Sequence, residues 1–180
     1  MTSVFVSGTW RESKAQPYAR QATQLGTALA NHGFDLVCGP GTGITRPLID
    51  GYRSVSQRGK IRFFLPRADL MAAVGEVVGE GADEIIQTEF DYPVRNVWQV
   101  GKCDGLFVLT GGDGTLEEAL PALIDYNIPV SVVRGSGPAA DALAALEPIF
   151  PEWTGLLTFG SDVAELVDNF IERVSRTDQR

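Results

Sequence analysis

The stretch DGLFVLTGGDGTLEEAL, residues 104–120, carries the clearest structural signal in the chain. Residues 104–110 are almost wholly apolar, as expected for a strand at the centre of a parallel sheet that is buried on both faces. The glycines at positions 111, 112 and 114 predict a turn, and a helix is predicted to begin near Thr115. A strand, a glycine turn and a helix in this order are typical of α/β proteins.

The same alternation continues in both directions, with short β-branched runs followed by stretches of helical periodicity. The predicted strands are residues 3–8, 34–39, 60–66, 84–88, 104–110, 128–133 and 156–159. The predicted helices are residues 15–32, 43–57, 69–78, 92–102, the one beginning near Thr115, 139–146 and 162–176. No linker or repeat divides the series. We therefore expect a single domain over residues 1–180, an α/β fold with one doubly wound, mainly parallel sheet flanked by helices (Rossmann-like).

Composition excludes several classes of protein. The chain has 180 residues, 44% of them hydrophobic, and 15 Lys+Arg against 23 Asp+Glu give a net charge of −8. A charge this negative argues against binding a nucleic acid polymer, which needs a basic surface. No apolar run approaches the roughly 20 residues that a bilayer requires, so no membrane partner is expected. The first residues lack the basic segment of a secretory signal, and we expect a cytoplasmic protein.

The cysteines and the histidine predict neither a disulfide nor a metal site. Cys38 and Cys103 are far apart and have no CxxC partner, so both are expected to be reduced and buried. His32, the lone histidine, lies at a predicted helix end, where a cation complements the helix dipole. Because His32 is expected to have this structural role, catalysis by a Ser-His-Asp triad or by an HExxH zinc site is not expected. We expect no metal and no cofactor.

Three predicted strands end in glycine-containing loops, at residues 7–9, 39–43 and 111–115. In a doubly wound sheet, ligands bind at the carboxyl ends of the strands beside the switch point. Glycines let backbone amides approach an anion, and a helix N-terminus adds partial positive charge. These loops predict a phosphate-bearing ligand, although ordinary turn chemistry remains an alternative for residues 39–43. The candidate binding residues are Gly8, Thr9, Gly41, Thr42, Gly43, Gly111, Gly112, Gly114 and Thr115.

Residues 110–118, taken with Tyr92-Pro93-Val94-Arg95 upstream, resemble a motif of the LONELY GUY (LOG) family within the wider SLOG group of nucleotide-binding domains. Members carry an Arg-Lys pair on the helix before the central strand, followed by PGGxGTxxE. Arg95 matches the arginine and Glu118 the final glutamate. The chain has Thr110 in place of the proline, Asn96 in place of the lysine and Asp113 at the variable position. Residues 39–45 correspond to the GGG...GLMG loop, and the likeness covers most of the chain.

The resemblance implies hydrolysis of the N-glycosidic bond of a nucleoside 5′-monophosphate, which releases the free base and ribose 5-phosphate. It also implies a homodimer with sites near the subunit boundary, and Trp98, on the helix of Arg95, is a candidate interface residue. Backbone amides of residues 112–115 and the Thr115 hydroxyl would hold the 5′-phosphate. Two alternatives stay open: a non-catalytic nucleotide sensor or carrier, and a transferase of ribose phosphate.

The residues themselves suit this chemistry. Glycosidic cleavage passes through an oxocarbenium-like state, which a carboxylate stabilises directly or by activating water. Glu118 is the catalytic candidate, and it is expected to remain ionised because it lies near a helix N-terminus. Arg95 is expected to pair with Glu118, or to contact the phosphate or a ribose hydroxyl. Glu117 is expected to be a solvated or supporting residue, and no general acid for the departing base is evident.

Two further groups of residues have open interpretations. Thr9, Trp10 and Arg11 follow the first strand and either line the base or sugar pocket or pack within the fold. The middle of the chain is locally basic, with Arg46, Arg53, Arg58, Lys60, Arg62 and Arg67. These residues form either a basic groove for phosphate or a solvated surface with ordinary charge pairs.

Overall fold

The computed structural model describes residues 2–177 and contains one sheet of seven strands. The strands are β1 (Ser3–Ser7), β2 (Asp35–Cys38), β3 (Ile61–Leu65), β4 (Glu84–Gln87), β5 (Gly105–Val108), β6 (Val130–Val133) and β7 (Leu157–Gly160). Every neighbouring pair is parallel, and the spatial order is β4-β3-β2-β1-β5-β6-β7. The predicted α/β fold with a doubly wound parallel sheet is confirmed.

Eight α-helices connect the strands in the described part of the chain. They are α1 (Glu12–Ala15), α2 (Ala19–Asn31), α3 (Thr45–Arg53), α4 (Ala68–Val74), α5 (Tyr92–Val100), α6 (Asp113–Ile124), α7 (Pro138–Leu146) and α8 (Val163–Thr177). None of the helices within residues 2–177 is long and apolar enough to cross a membrane.

The sheet is wound outward from its centre in two directions. From β1 the chain runs to β2, β3 and β4 on one side, then returns to β5 beside β1 and continues to β6 and β7. Ser7 at the end of β1 is paired in register with Val108 at the end of β5. The switch point therefore lies between β1 and β5, where this class of fold binds its ligands.

Helices cover both faces of the sheet and bury a separate core on each. On one face α2, α3 and α8 pack through side chains such as Leu25, Leu48 and Phe170, all of them fully buried. On the other face α5, α6 and α7 pack through small side chains such as Ala119. Small residues let α6 lie close to the sheet, which brings its first turns beside the ends of β1 and β5.

Three helices differ by several residues from their predicted bounds. The first begins at Glu12 and is interrupted by a 3-10 turn over Gln16–Tyr18, because Pro17 cannot donate the backbone hydrogen bond of an α-helix interior. The second ends at Arg53 and α4 ends at Val74, each four residues earlier than expected. His32 is the C-cap of α2, as predicted. Cys38 and Cys103 are buried and free, also as predicted.

Candidate functional site

A cavity of about 900 Å³ opens at the switch point of the sheet. The cavity is lined by β1, by residues that follow β1, β2 and β5, by the first two turns of α5 and α6, and by residues 136–138 at the start of α7. Pockets that hold small molecules and cofactors span roughly 300–1,000 Å³, so this cavity lies near the upper end of that range.

The loop from Thr110 to Thr115 forms one wall of the cavity and leads into α6. Gly111 has φ +96°, and a Cβ atom there would lie 2.0 Å from Oγ1 of Thr115. A Cβ atom at Gly112 or Gly114 would meet nothing within 4 Å. The loop thus leaves open space over the N-terminus of a 12-residue helix, where backbone amides and the helix dipole favour an anion.

Thr110 fixes the start of this loop in a conformation that proline could not adopt. Its φ is +71°, whereas the proline ring holds φ near −65°. Its amide donates to Oγ of Ser136 at 3.0 Å, and its hydroxyl accepts from the amide of Thr9, also at 3.0 Å. The loop therefore depends on having threonine where the LOG motif has proline, since proline lacks the groups that make both bonds.

Glu118 lies on the second turn of α6 and lines the cavity with only 9% of its surface exposed. Its Oε1 accepts a hydrogen bond of 2.8 Å from Nε2 of Gln99, and its Oε2 accepts one from the Ser7 hydroxyl. Burial raises the pKa of Glu118 to about 7, against the opposing charge of Arg95. The expectation that this group remains ionised therefore holds only above about pH 7, because desolvation raises its pKa.

Arg95 reaches Glu118 through a third side chain. The guanidinium is 7% exposed, and its Nη1 donates to the carbonyl of Phe64 at 3.3 Å and to Oε1 of Gln99 at 3.1 Å. In the described structure Arg95 and Glu118 form no direct ion pair, so that predicted alternative is wrong. Gln99 instead accepts from Arg95 at one end of its amide and donates to Glu118 at the other.

Three buried side-chain atoms within residues 2–177 have no hydrogen-bond partner: Oγ1 of Thr42, Nε of Arg95 and Oδ1 of Asn96. All three residues line this one cavity. A buried polar atom without a partner costs about 1–3 kcal/mol. Such atoms are rare in folded proteins, and their convergence here shows that the cavity offers hydrogen-bonding groups to whatever fills it, bound water or a ligand.

Most of the predicted binding residues lie together. Those that line the cavity are Gly8, Thr9, Thr42, Gly111, Gly112, Gly114 and Thr115, with Arg95 and Glu118. Gly41 and Gly43 do not line it, and their amides already donate to the Gly39 carbonyl and to Oε1 of Glu12. A Cβ atom at Gly43 would lie 2.3 Å from the Thr9 carbonyl, so close packing between loops accounts for this glycine.

The mouth of the cavity combines a flat ring with positive charge. Trp10 is 42% exposed, and the guanidinium of Arg11 lies 5.5 Å from its ring centre. Lys14 lines the same side, and Pro40 and Tyr92 add apolar surface. Of the two interpretations of the segment after β1, the structure favours lining of the pocket.

Sequence reasoning did not identify Ser7, Gln99 or Ser136 as site residues. Gln99 stands four residues after Arg95 on α5, a spacing that places two side chains on one helix face and could have indicated it. Ser7 immediately precedes the predicted Gly8 turn. Ser136 carries no recognisable signal, because its role depends on the contact between two loops.

The basic segment in the middle of the chain is paired with acidic side chains. Arg58 bonds Asp83 at 2.6 Å, and Arg62 bonds Asp35 at 2.9 Å. Further pairs join Lys60 and Arg62 to Glu84, and Arg67 to Asp69. The interpretation of this segment as a surface with ordinary charge pairs is confirmed for these four basic residues.

Solved structures share this fold along nearly the whole chain. The structural-genomics protein TM1055 has a TM-score of 0.77 at 22% identity, over 96% of this chain and 99% of its own. A molybdenum cofactor (Moco) carrier protein from Chlamydomonas reinhardtii has a TM-score of 0.76 at 20% identity, over 98% and 99%. DNA processing protein A from Helicobacter pylori, described as binding single-stranded DNA, has a TM-score of 0.63 at 15% identity, over 95% and 80%.

Among sequences, no curated protein matches this chain. A family model does match: that of the SLOG cluster4 family, over residues 1–148, a span that includes β1 to β6 and every residue of the candidate site. The predicted SLOG relationship is thereby confirmed, and the chain belongs to the SLOG cluster4 family.

Proposed function

We propose that the protein binds a nucleoside 5′-monophosphate in this cavity and hydrolyses its N-glycosidic bond to give the free base and ribose 5-phosphate. One observation carries the proposal: a buried carboxyl group, Glu118, lines the same cavity as the three unpartnered polar atoms of Thr42, Arg95 and Asn96. A site that holds a polar ligand and exchanges a proton needs both features.

The phosphate is proposed to lie over Gly112 and Gly114, where the loop leaves open space beside the α6 N-terminus. The cavity is lined by three basic residues, Arg11, Lys14 and Arg95, and by three acidic residues, Glu76, Asp113 and Glu118. It is therefore less negative than the chain as a whole, whose net charge is −8. The formal charge of the lining is thus near zero, and the proposed attraction for a phosphate comes from the backbone amides and the dipole at the α6 N-terminus.

Glu118 is proposed to act as the general base. A carboxyl whose pKa is about 7 can accept a proton and release it again near neutral pH. In the proposed step, ionised Glu118 takes a proton from water as the water oxygen attacks the anomeric carbon. The bond between that carbon and the base nitrogen breaks, and its electron pair leaves with the base. The proton held by Glu118 is then returned to the departing base, which balances the reaction.

A carrier or sensor that binds without turnover is the second candidate. It is favoured by the hydrogen bonds that Glu118 already accepts from Ser7 and Gln99, which occupy both carboxylate oxygens. A cavity of about 900 Å³ also offers room for a cofactor larger than a mononucleotide. The similar fold of a molybdenum cofactor carrier makes a phosphorylated cofactor a reasonable cargo to test.

The two candidates are separated by incubating the purified protein with AMP, GMP, CMP and UMP and measuring free base by chromatography. Release of base supports the hydrolase. Binding by calorimetry with no release supports the carrier or sensor. Release of base only when a second nucleobase is added as acceptor would indicate a transferase of ribose phosphate.

We further infer a homodimer that forms through the outer face of α5. Val94 and Val97 are 49% and 36% exposed on that face, and Tyr126 beside it is 40% exposed. Trp98, the predicted interface residue, instead packs edge to face on Phe64 at 5.1 Å between ring centres. Light scattering should give the mass of a dimer for the native protein and of a monomer for Val97→Asp. A native monomer would refute the inference.

A further inference from the structure

We propose that Asn96 and Arg95 select a ribose through its vicinal hydroxyl groups, Asn96 by accepting a hydrogen bond from the 2-hydroxyl and Arg95 by donating to the neighbouring 3-hydroxyl. The inference rests on the proposed nucleotide ligand. It assigns the selection of the sugar to the position where this chain has asparagine in place of the lysine of the family motif.

The orientation of the Asn96 amide is fixed by Glu117. Asn96 is 4% exposed and lines the cavity, and its Nδ2 donates to Oε2 of Glu117 at 3.0 Å. An ionised carboxylate can only accept hydrogen bonds, so it must face the nitrogen of the amide and not the oxygen. Oδ1 of Asn96 is thereby left as a buried acceptor without a partner.

Arg95, the residue before Asn96, supplies a hydrogen-bond donor. Its Nη1 is engaged by Phe64 and Gln99, whereas its Nε is buried and unpartnered. The cavity therefore offers one free donor and one free acceptor from consecutive residues of α5. Two adjacent hydroxyls fit this pair, because a hydroxyl can accept from Nε while its neighbour donates to Oδ1.

The position of the pair favours the sugar over the base. Glu117, which anchors Asn96, follows Thr115 of the proposed phosphate loop by two residues on α6. Asn96 also lines the same cavity as Gly112, Gly114 and Thr115, so the free acceptor shares that cavity with the proposed phosphate site. The part of a nucleotide joined directly to its 5′-phosphate is the ribose.

The test compares ribose 5-phosphate with 2-deoxyribose 5-phosphate, which differ by one hydroxyl and carry no base. Calorimetry on the native protein should show at least tenfold tighter binding of ribose 5-phosphate, because the deoxy sugar leaves a buried polar group unpaired. Asn96→Ala should lose this preference by weakening the binding of ribose 5-phosphate alone. Asn31→Ala, the same change at an exposed position on α2, should keep it.

A double variant tests the geometry and protects against misfolding. In Asn96→Asp with Glu117→Gln, the glutamine amide donates to the aspartate and one aspartate oxygen remains free as an acceptor. This variant should keep the preference for ribose even if its affinity for both sugar phosphates falls. Loss of the preference in this variant as in Asn96→Ala would overturn the inference.

Three other outcomes bear on the proposal. Equal binding of both sugar phosphates by the native protein would overturn the inference and leave the proposed function intact. If the loss of affinity in Asn96→Ala depends on which base a nucleoside monophosphate carries and not on its sugar, Asn96 contacts the base. That result would also overturn the inference. Absence of binding to the sugar phosphates and to all four nucleoside monophosphates would refute the proposed function together with the inference.

Discussion

Gln99 donates a hydrogen bond of 2.8 Å to Oε1 of Glu118 from a fully buried position on the neighbouring helix. The other end of the same amide accepts from Arg95 at 3.1 Å, so the orientation of the amide is defined at both ends. Glu118 is therefore held by a side chain that itself depends on Arg95. Arg95 and Glu118, the two residues that match the sequence motif, are thus connected through Gln99.

Removing this link should shift the titration of Glu118. The Gln99 hydrogen bond favours the ionised carboxylate, so Gln99→Leu should raise the pKa of Glu118 further above its ordinary value. The pH at which base release reaches half its maximum should then move upward. Gln24→Leu, the same change at an exposed position on α2, should leave the profile unchanged. An unchanged profile in Gln99→Leu would show that the amide does not position the carboxyl group.

Burial of Glu118 should make stability depend on pH in a defined direction. Its pKa is about 7 in the folded protein and about 4.5 when freely solvated. Folding therefore favours the protonated form, and its contribution to stability is full below about pH 4.5 and lost as pH rises to about 7. Relative to Glu118→Gln, which stays neutral, the native protein should lose about 3 kcal/mol of unfolding free energy between pH 4.5 and 8.

Urea unfolding of both proteins across this pH range measures the difference directly. A constant difference would mean that Glu118 titrates at its ordinary pKa. If the native protein instead became more stable relative to Glu118→Gln as pH rises, the pKa of Glu118 would be lowered in the folded state.

Gly111, before α6, and Gly114, in its first turn, should respond differently to the same substitution. A methyl group at Gly111 would strike Thr115, and φ +96° is unfavourable for alanine, so Gly111→Ala should destabilise the protein. Gly114→Ala lies inside α6 and meets no neighbour, so it should be neutral or stabilising by up to about 1 kcal/mol. Its methyl group would occupy the proposed phosphate space, and it should weaken phosphate binding.

Thermal unfolding and calorimetry with ribose 5-phosphate measure the two properties separately. A Gly114→Ala protein that is stable and binds as tightly as the native protein would place the phosphate elsewhere in the cavity.

Restoring the proline of the family motif should harm this protein. Thr110→Pro cannot reach φ +71° and loses both the amide bonded to Ser136 and the hydroxyl bonded to Thr9. We expect a loss of about 3 kcal/mol or more, which in a chain of this size lowers Tm by roughly 6–12 °C. Thr110→Gly keeps the backbone conformation and should cost less. A proline variant as stable as the native protein would contradict the loop conformation.

Sequence periodicity and glycine position were sufficient to predict the order of elements and the edge of the sheet that carries the cavity. They could not separate glycines that approach a ligand from those that let loops pack. Gly43 shows this, since its amide donates to Glu12 and its α-carbon lies against the chain at Thr9. In both cases the sequence shows only a glycine, so the two roles cannot be told apart from it.

The ionisation of Glu118 could not be predicted for a related reason. The helix dipole depends on position along one element, which the sequence reveals. Desolvation depends on how completely β1, α5 and α6 enclose the side chain, which only the packed structure reveals. The role of Gln99 could not be predicted for the same reason. It depends on the contacts of the amide with Arg95 and Glu118, which only the packed structure reveals.

Glu118 is proposed to carry out glycosidic cleavage in a cavity that binds the nucleotide without help from this side chain. The most direct test measures free base released from a saturating nucleoside monophosphate by the native protein and by Glu118→Gln, with the affinity of each determined in parallel. We expect the substitution to lower release by about 10²-fold to 10⁴-fold while affinity changes only a few-fold. Equal release by the two proteins, or a native protein that binds nucleotide and never cleaves it, would contradict the claim.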